Sequence, residues 1–379
     1  MLAATMLILI WTALGYPALM AFLSIVRSKP HERDHSHTCS AAVIVPACNE
    51  AKSIDARLAN LLDLSPLPLR IIVVTDGSTD STEESARMRD DPRITVLGAR
   101  TRKGKLAAIN RGIQTLEGHL DSNDLVVLTD ANTAFDDDTL AKLMPHFADP
   151  LVGSVSTVRC VSGGRVLHRW LHWYESRLLA WESRVGSAVG AAGELLAIRY
   201  CLARTLCANL SPSTVNDDFA LAMGVVGAGK RHIFDGDLVA AEPISIRRRE
   251  ELGRRIRISA GRARDLRRLF RWSWVRDQPW IASQVLSHKG LRLLLPVAVL
   301  PVIGETIGAR GLGAALLGVA CVLTAAGLLV DSSNAERARD RRINSILQMI
   351  GDGFVFWAGG LIGLVCAAFG HAPWPRSPR

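Results

Sequence analysis

The seven cysteines of this 379-residue chain include no CxxC pair, which argues against a zinc ribbon and against a disulfide framework. We therefore predict reduced thiols in a cytosolic compartment. The chain also lacks the low hydrophobicity of disordered proteins, since 49% of its residues are hydrophobic and 21% are charged. Its mean hydropathy is positive, at +0.19, and the apolar residues are concentrated in a few long runs. This pattern disfavours an ordinary soluble enzyme and a fibrous repeat protein.

Residues 1–26 carry no charged side chain, a length sufficient to cross about 30 Å of hydrocarbon. The segment lacks the basic start and the small-residue cleavage site of a signal peptide, so we interpret it as a permanent anchor. Arg27 and Lys29 follow it directly and place the next domain in the cytoplasm by the positive-inside rule. Residues 27–40 are rich in polar groups and histidine, and a solvated linker is favoured there over a metal site.

From residue 41 short β-branched runs alternate with segments whose apolar residues recur every three or four positions. This alternation predicts an α/β fold with a mostly parallel sheet covered by helices on both faces. The predicted strands are residues 42–45, 70–74, 93–97 and 125–128, and the predicted helices between them are residues 54–62 and 106–116.

Positive charge is concentrated in residues 247–276, which we call the basic belt. It contains twelve arginines and three acidic residues, so it accounts for the formal net charge of +9. A basic belt beside apolar segments indicates an anionic membrane surface or a phosphate-bearing ligand. Nucleic acid is disfavoured because no nucleic-acid-binding motif accompanies the arginines.

The C-terminal part is again apolar. Residues 293–330 are interrupted by Glu305 and Arg310 and predict two membrane spans joined by a tight turn. Residues 343–369 are a third apolar stretch that contains Asp352. That stretch is either a further span or a re-entrant or interfacial segment.

Four polar clusters follow predicted strands or open a helix, at residues 46–50, 76–80, 129–132 and 216–221. Ligands of open parallel sheets bind at the carboxyl ends of the strands, where three of these clusters lie. Carboxylates at such an edge are costly unless a metal, a sugar hydroxyl or a nucleotide satisfies them. Alternatively, Asp76 and Asp130 serve as turn or helix caps, and Asp217-Asp218 complement a helix dipole.

In order and spacing, these motifs resemble those of family 2 glycosyltransferases. The residues that carry the resemblance are Pro46 to Glu50, Asp76-Gly77-Ser78, Arg102 to Lys105 with Asn110 and Gly112, Asp130-Ala131-Asn132, and Asp217-Asp218. The resemblance covers roughly residues 41–261. It implies a GT-A fold, which is a Rossmann-like sheet domain, flanked by transmembrane helices, and an inverting transfer of sugar from a nucleotide-sugar at the inner membrane.

The resemblance also implies how the donor is held. Pro46, Asn49, Glu50 and Asp76 would line the uridine pocket of a UDP-sugar, and Lys105 would help to hold the nucleotide.

The resemblance further assigns the catalytic and metal-binding groups. Asp130 and Asn132 would bind Mg²⁺ or Mn²⁺ bridged to the diphosphate, since carboxylate and amide oxygens suit these cations. Asp218, with Asp217 beside it, would act as the general base toward the acceptor hydroxyl.

The chain departs from the family pattern in two places. Asn132 stands where a third acidic ligand is expected. The QxxRW element of processive polymerases is replaced by residues 254–258, in which Arg255 and Arg257 would still bind the diphosphate through their planar guanidinium groups. Without the Trp a stacking platform for a growing sugar chain is missing, so transfer to a lipid or glycan acceptor is slightly favoured over a processive polysaccharide synthase.

Rival interpretations are a catalytically silent nucleotide-sugar-binding scaffold and, with too few spans to rank highly, a lipid transporter. A GxxxxGK match at residues 224–230 is rejected as a P-loop because Arg231 follows it and a helix precedes it. No GxGxxG follows a predicted strand, which argues against a dinucleotide oxidoreductase.

We therefore predict a multi-pass inner-membrane protein with a cytoplasmic catalytic domain. Its predicted parts are an anchor (1–26), a linker (27–40), a GT-A domain (41–262), a basic interfacial region (263–290), two or three C-terminal transmembrane segments (291–370) and a tail (371–379).

Overall fold

The computed structural model of the protein describes residues 2–162, 166–191, 193–211, 214–243, 248–270, 275, 277–298 and 341–368. The chain divides into two compact units. The larger unit comprises the described residues within Met20–Ser162 and Glu175–Pro243, and the smaller unit comprises those within Met1–Leu19, Gly163–Tyr174 and Ile244–Ser377.

The helices and strands are numbered here in chain order. The α-helices are α1 (Leu2–Ile10), α2 (Tyr16–Val26), α3 (Ile54–Leu62), α4 (Thr82–Arg87), α5 (Lys105–Gln114), α6 (Thr139–Leu143), α7 (Val166–Val185), α8 (Tyr200–Asn209), α9 (Asp217–Gly227), α10 (Arg248–Leu269), α11 (Pro279–Val285) and α12 (Arg341–Ala368). The strands are β1 (Ala41–Ala47), β2 (Arg70–Asp76), β3 (Ile94–Ala99), β4 (Leu125–Leu128), β5 (Ala134–Phe135), β6 (Val152–Ser162), β7 (Leu196–Arg199) and β8 (Arg231–Pro243). Two π-helical turns occur at Trp11–Gly15 and Leu286–Gly290, and a 3₁₀ turn occurs at Met144–Ala148.

The larger unit is built on a sheet with the strand order β3-β2-β1-β4-β7-β6-β8-β5. Strands β1 to β4 pair in parallel, so the four predicted strands and the helices between them are confirmed. Strand β6 also pairs in parallel with β8, so the predicted parallel pairing extends beyond this half of the sheet. Strand β7 pairs antiparallel with both β4 and β6, and β5 pairs antiparallel with β8, which makes the whole sheet mixed. Such antiparallel additions to a parallel sheet are common in α/β folds.

Alternation along β1 divides the core between the two faces of the sheet. Val43 and Val45 belong to the core cluster that contains Leu58 of α3, whereas Ile44 belongs to the cluster that contains Ile109 of α5. All five side chains are fully buried. Each burial contributes about 2 kcal/mol of hydrophobic free energy. A strand buried on both faces is therefore held firmly, and the loop after its carboxyl end starts from a fixed position.

The GxxxxGK segment lies at the end of α9 and before β8, as the sequence indicated. The helix ends at Gly227, and Gly229 adopts a φ of +76° between the helix and the strand. A glycine with positive φ after a helix is a common C-terminal stop. The segment therefore has the helix-to-strand order opposite to that of a P-loop.

The N-terminal helix is long and apolar enough to cross a membrane, and it is the one such helix within the described residues. It covers Thr5–Val26 with a mean hydropathy of 2.0. Several of its large apolar side chains are exposed, with Leu14 at 67% and Ile25 at 80%.

The structure describes part of the C-terminal region in which membrane spans were predicted. The predicted pair of spans at residues 293–330 lies largely outside the described residues. Helix α12 contains a shorter apolar stretch, Trp357–Ala368. In the smaller unit, α10 crosses α12 closely, because a Cβ on Gly359 would lie 2.6 Å from the Cβ of Arg255.

Candidate active site

The loops that follow β1 and β2 are joined by hydrogen bonds at the carboxyl edge of the sheet. Asn49 adopts a φ of +60° and accepts a hydrogen bond at its Oδ1 from the backbone N–H of Thr79, at 2.8 Å. The backbone N–H of Glu50 donates to Thr82 Oγ1 at 2.8 Å. These bonds bring Asn49 and Glu50 beside the end of β2. Pro46 lies in β1 opposite Val74 and three positions before Asn49.

Asp76, the last residue of β2, fixes the start of helix α5. Its side chain is 6% exposed, and its two carboxylate oxygens accept hydrogen bonds from the backbone N–H groups of Lys103 and Gly104, at 2.6 and 2.7 Å. Each oxygen retains a second lone pair, so the two bonds leave acceptor capacity for a ligand. Gly104 precedes the first helical residue and has a φ of +104°. Asp76 therefore also determines where Lys105 stands.

Lys105 brings three of the predicted site residues together. Its Nζ lies 2.8 Å from Asp130 Oδ1 and 3.5 Å from Asp217 Oδ2. A Cβ built on Gly193 would lie 3.7 Å from the same Nζ and 3.6 Å from Asp218 Oδ2. Residues from α5, from the end of β4 and from the start of α9 thus converge on one place. We call Lys105, Asp130, Asp217 and Asp218 the acidic-lysine cluster.

Opposing effects act on the pKa of Lys105. Burial of the ammonium group lowers the pKa, but the nearby carboxylates of Asp130, Asp217 and Asp218 outweigh burial and raise it above its ordinary value. The lysine is therefore a fixed positive charge at neutral pH.

Asp217 and Asp218 are the first two residues of α9, where the helix dipole favours negative charge. Asp217 is buried at 9% exposure, whereas Asp218 is half-buried. The Oδ1 of Asp218 accepts a hydrogen bond from the backbone N–H of Phe219 at 2.8 Å. The dipole interpretation and a catalytic role are thus compatible for this pair.

A buried arginine supports the cluster from the core side, and sequence reasoning did not single it out. Arg57 of α3 is 2% exposed, donates from Nη2 to Thr129 Oγ1 at 2.7 Å, and places its guanidinium carbon 4.0 Å from the centre of the Phe135 ring. Burial lowers the pKa of Arg57, and attraction to Asp130 partly opposes this. The signal in the sequence is a charged residue on the apolar stripe of α3, between Ile54 and Leu61.

Thr129 links that arginine to a second segment that sequence reasoning missed. Its Oγ1 donates to the backbone carbonyl of Glu194 at 2.8 Å. The segment before β7 is thereby held against the end of β4, with Gly193 facing the cluster. No polar motif marks this segment in the sequence, since its site-facing residue is a glycine.

Three further predicted site residues are not part of the acidic-lysine cluster as defined above. Asn132 lies in the turn between β4 and β5, two residues after Asp130. Arg255 and Arg257 lie on α10 in the smaller unit, where Arg255 Nε donates to Glu251 Oε1 at 2.6 Å. The described structure thus brings the acidic-lysine cluster together, ties Asp76 to the loop before it, and has the two arginines in the other unit.

Asp130 and Asn132 were predicted to hold a divalent cation. Among the described residues, no group of three or more His, Cys, Asp or Glu side chains is arranged to hold a metal ion. Asp130 and Asn132 nevertheless supply hard oxygen ligands. Mg²⁺ is commonly bound through one or two carboxylates together with substrate phosphates. The residues therefore fit a cation that shares its coordination with a diphosphate, and they do not fit an all-protein cage.

Comparison with known proteins gives the family of the sheet domain. A family model described as "Glycosyl transferase family 2" matches residues 42–199, which contain β1 to β7 and most of the site. The succinoglycan biosynthesis protein ExoA of Rhizobium meliloti is 31% identical over 132 residues, covering 33% of this chain and 39% of that protein. The poly-beta-1,6-N-acetyl-D-glucosamine synthase of Staphylococcus aureus (strain COL) is 32% identical over 113 residues, covering 29% of this chain and 26% of that protein. The matched stretch therefore spans less than half the length of either relative.

A solved structure extends the likeness of fold beyond the matched domain. The mannosyltransferase PcManGT from Pyrobaculum calidifontis, solved with GDP-Man and Mn²⁺, superimposes with a TM-score of 0.72 at 22% identity, covering 97% of this chain and 99% of that one. At this identity the likeness is one of fold. The fold is thus of the GT-A type. Residues 42–199 of the chain thus form a glycosyl transferase family 2 domain, which is similar in sequence to exopolysaccharide synthases.

Proposed function

We propose that the protein transfers a sugar, with inversion, from a nucleotide diphosphate sugar to a lipid or glycan acceptor beside the membrane. The acidic-lysine cluster carries this proposal. In this cluster a half-buried carboxylate at the start of a helix, a fixed positive charge and a further carboxylate lie close together, which supports metal-assisted transfer of this kind. The process served is assembly of a cell-envelope polysaccharide or exopolysaccharide, which accords with the names of the two curated relatives.

The donor is held at the loops after β1 and β2. Pro46, Asn49, Glu50 and Asp76 form the wall for the base and ribose, and Asp76 offers its remaining lone pairs to a ribose or base N–H or O–H group. We propose a UDP-sugar as the donor. A GDP-sugar is the alternative, because the structural neighbour was solved with GDP-Man.

The diphosphate is held by positive charge at the cluster. Lys105 contributes its ammonium group, and Asp130 with Asn132 would hold Mg²⁺ or Mn²⁺. When bound, such a cation neutralises the charge that develops on the departing diphosphate.

Asp218 acts on the acceptor. As a half-buried carboxylate at the start of α9, it takes the proton from the acceptor hydroxyl while that oxygen attacks the anomeric carbon opposite the diphosphate. One displacement inverts the anomeric centre, so the site needs no covalent nucleophile. Gly193 keeps the space in front of Asp218 free of a side chain.

Nucleotide release from membranes that contain the protein tests this function. UDP-sugars and GDP-sugars would be supplied as separate panels with Mn²⁺, with Mg²⁺ and with EDTA. Release from one panel that EDTA abolishes is expected, and the length of the product separates a single transfer from a processive synthase. Binding of a donor with no release in native membranes would instead support the silent scaffold and contradict the proposal.

A further inference from the structure

The ammonium group of Lys105 occupies a position that a divalent cation would also seek. It lies 2.8 Å from Asp130 Oδ1, a hydrogen-bonded ion pair, and 3.5 Å from Asp217 Oδ2. The sequence singled out Asp130 as a metal ligand and Lys105 as a nucleotide contact, but it did not indicate that the two residues contact each other.

A divalent cation bound to either oxygen of Asp130 would lie within a few Å of the ammonium group on Oδ1, and the two positive charges would repel each other strongly at that range. The repulsion weakens binding of a divalent cation to Asp130 unless the ammonium group moves away. Lysine permits such a movement, since its ammonium lies on a flexible four-carbon stem. The backbone of Lys105 is meanwhile fixed, because Asp76 holds the two residues before it.

On the basis of the proposed function, we propose that Lys105 is a resident cation at Asp130 that makes divalent-cation binding depend on the nucleotide diphosphate. The diphosphate offers the displaced ammonium a new anionic partner and gives the metal oxygen ligands that the described residues do not supply. Without a nucleotide, the ammonium stays beside Asp130 and Asp217 and competes with the metal. Lys105 thus couples metal binding to donor binding.

Mn²⁺ binding to the purified full-length protein in detergent tests this proposal without measuring transfer. Free Mn²⁺ would be quantified by electron paramagnetic resonance, with and without UDP, and in parallel with and without GDP. We expect weak binding to the unchanged protein without nucleotide and at least tenfold tighter binding with it. In Lys105→Met, binding without nucleotide should tighten at least tenfold, and the effect of the nucleotide should shrink.

Three matched variants make the outcome specific. Lys105→Arg retains the positive charge and should keep weak, nucleotide-dependent binding. Lys103→Met removes a charge from an exposed position in the same loop and should leave Mn²⁺ binding without nucleotide unchanged within about twofold. Adding Asp130→Asn to the Lys105→Met protein should abolish its tight Mn²⁺ binding. That loss would also show that the Lys105→Met protein binds the metal at this site.

The proposal would be overturned if Lys105→Met bound Mn²⁺ no more tightly than the unchanged protein does. It would also be overturned if neither protein bound Mn²⁺. The result is separable from the function proposed above. If Lys105→Met binds Mn²⁺ more tightly but no sugar donor is turned over, the competition stands and the transferase assignment fails.

Discussion

At the scale of single residues, the site depends on the free space beside its charged groups as well as on the contacts those groups make. Gly193 is the clearest case, because the absent side chain would point at Asp218 and Lys105. A Cβ there meets both groups at ordinary van der Waals distance, so alanine fits and larger side chains enter the reaction space.

We predict that Gly193→Leu lowers kcat/KM for nucleotide release by about tenfold or more, since misplacing reacting groups by about 1 Å carries costs of this size. Gly193→Ala should stay within about threefold of the unchanged protein. The measurement is steady-state release at varied donor concentration. Full activity in Gly193→Leu would show that this glycine does not face the reaction.

A second prediction concerns a histidine of the core. His232 is fully buried, and its ring nitrogens bond to the Ser154 hydroxyl and the Gly190 carbonyl. Burial lowers its pKa to about 4, although the Gly190 carbonyl opposes this shift. An unfolded chain takes up a proton near pH 6.5 and the folded protein takes it up near pH 4. Stability is therefore fully present above pH 6.5 and is lost as the pH falls from 6.5 toward 4.

The loss attributable to His232 amounts to about 3 kcal/mol across that window. Denaturant unfolding of the detergent-solubilised protein at pH 7 and pH 4.5 would measure it. His232→Gln should flatten the pH dependence, whereas His119→Gln at an exposed position should leave it intact. An unchanged pH dependence in His232→Gln would contradict the assignment.

At the scale of elements, the turn after β2 controls where α5 begins. Gly77 has a φ of +65°, and its backbone N–H donates to the carbonyl of Ala99 at 3.0 Å. A Cβ at this position would lie 2.6 Å from the backbone nitrogen of Arg102. Any side chain therefore pushes against the loop that leads to Lys105.

We predict that Gly77→Ala weakens UDP binding at least tenfold and destabilises the protein by more than the roughly 1 kcal/mol that positive φ alone costs alanine. Gly118→Ala is the matched control, because Gly118 has a φ of +78° with nothing near the added Cβ. It should lose stability by about that amount and keep its UDP affinity. Calorimetric titration and thermal unfolding measure the two effects, and equal behaviour of both variants would refute this role of the turn.

Sequence patterns predicted the parallel half of the fold well, because each strand and helix there has a local periodicity. Helix α3 was predicted at residues 54–62, which are its observed bounds. The insertion of β7 between β4 and β6 was not predictable, since antiparallel pairing of a four-residue strand depends on long-range packing. The same limit applies to the site. A motif at a strand end indicated Asp130 and a motif opening a helix indicated Asp217, but the ion pairs that join them to Lys105 arise from three separate elements.

At the scale of the whole molecule, the exposed apolar face of Thr5–Val26 supports the proposed membrane location. We predict that the protein stays in the membrane pellet after alkaline carbonate washing and is released by detergent. Replacing Leu7 and Leu14, both exposed on this helix, with aspartate should move a large share of the protein to the wash, because charge within a span costs about 2.5–3.5 kcal/mol per residue. The paired change of Leu67 and Met88, which are exposed in the larger unit, should not. Complete release of the unchanged protein by carbonate would contradict the anchor.

Asp218 is the proposed base in a sugar transfer at the acidic-lysine cluster. The most direct test compares nucleotide release by Asp218→Asn, Asp138→Asn and the unchanged protein in native membranes, with donor binding measured on the same samples. Asp138 is an exposed residue paired with Lys142, and its variant should keep full activity. We predict that Asp218→Asn binds the donor normally and loses at least 100-fold in turnover. Turnover in Asp218→Asn equal to that of the unchanged protein would contradict it.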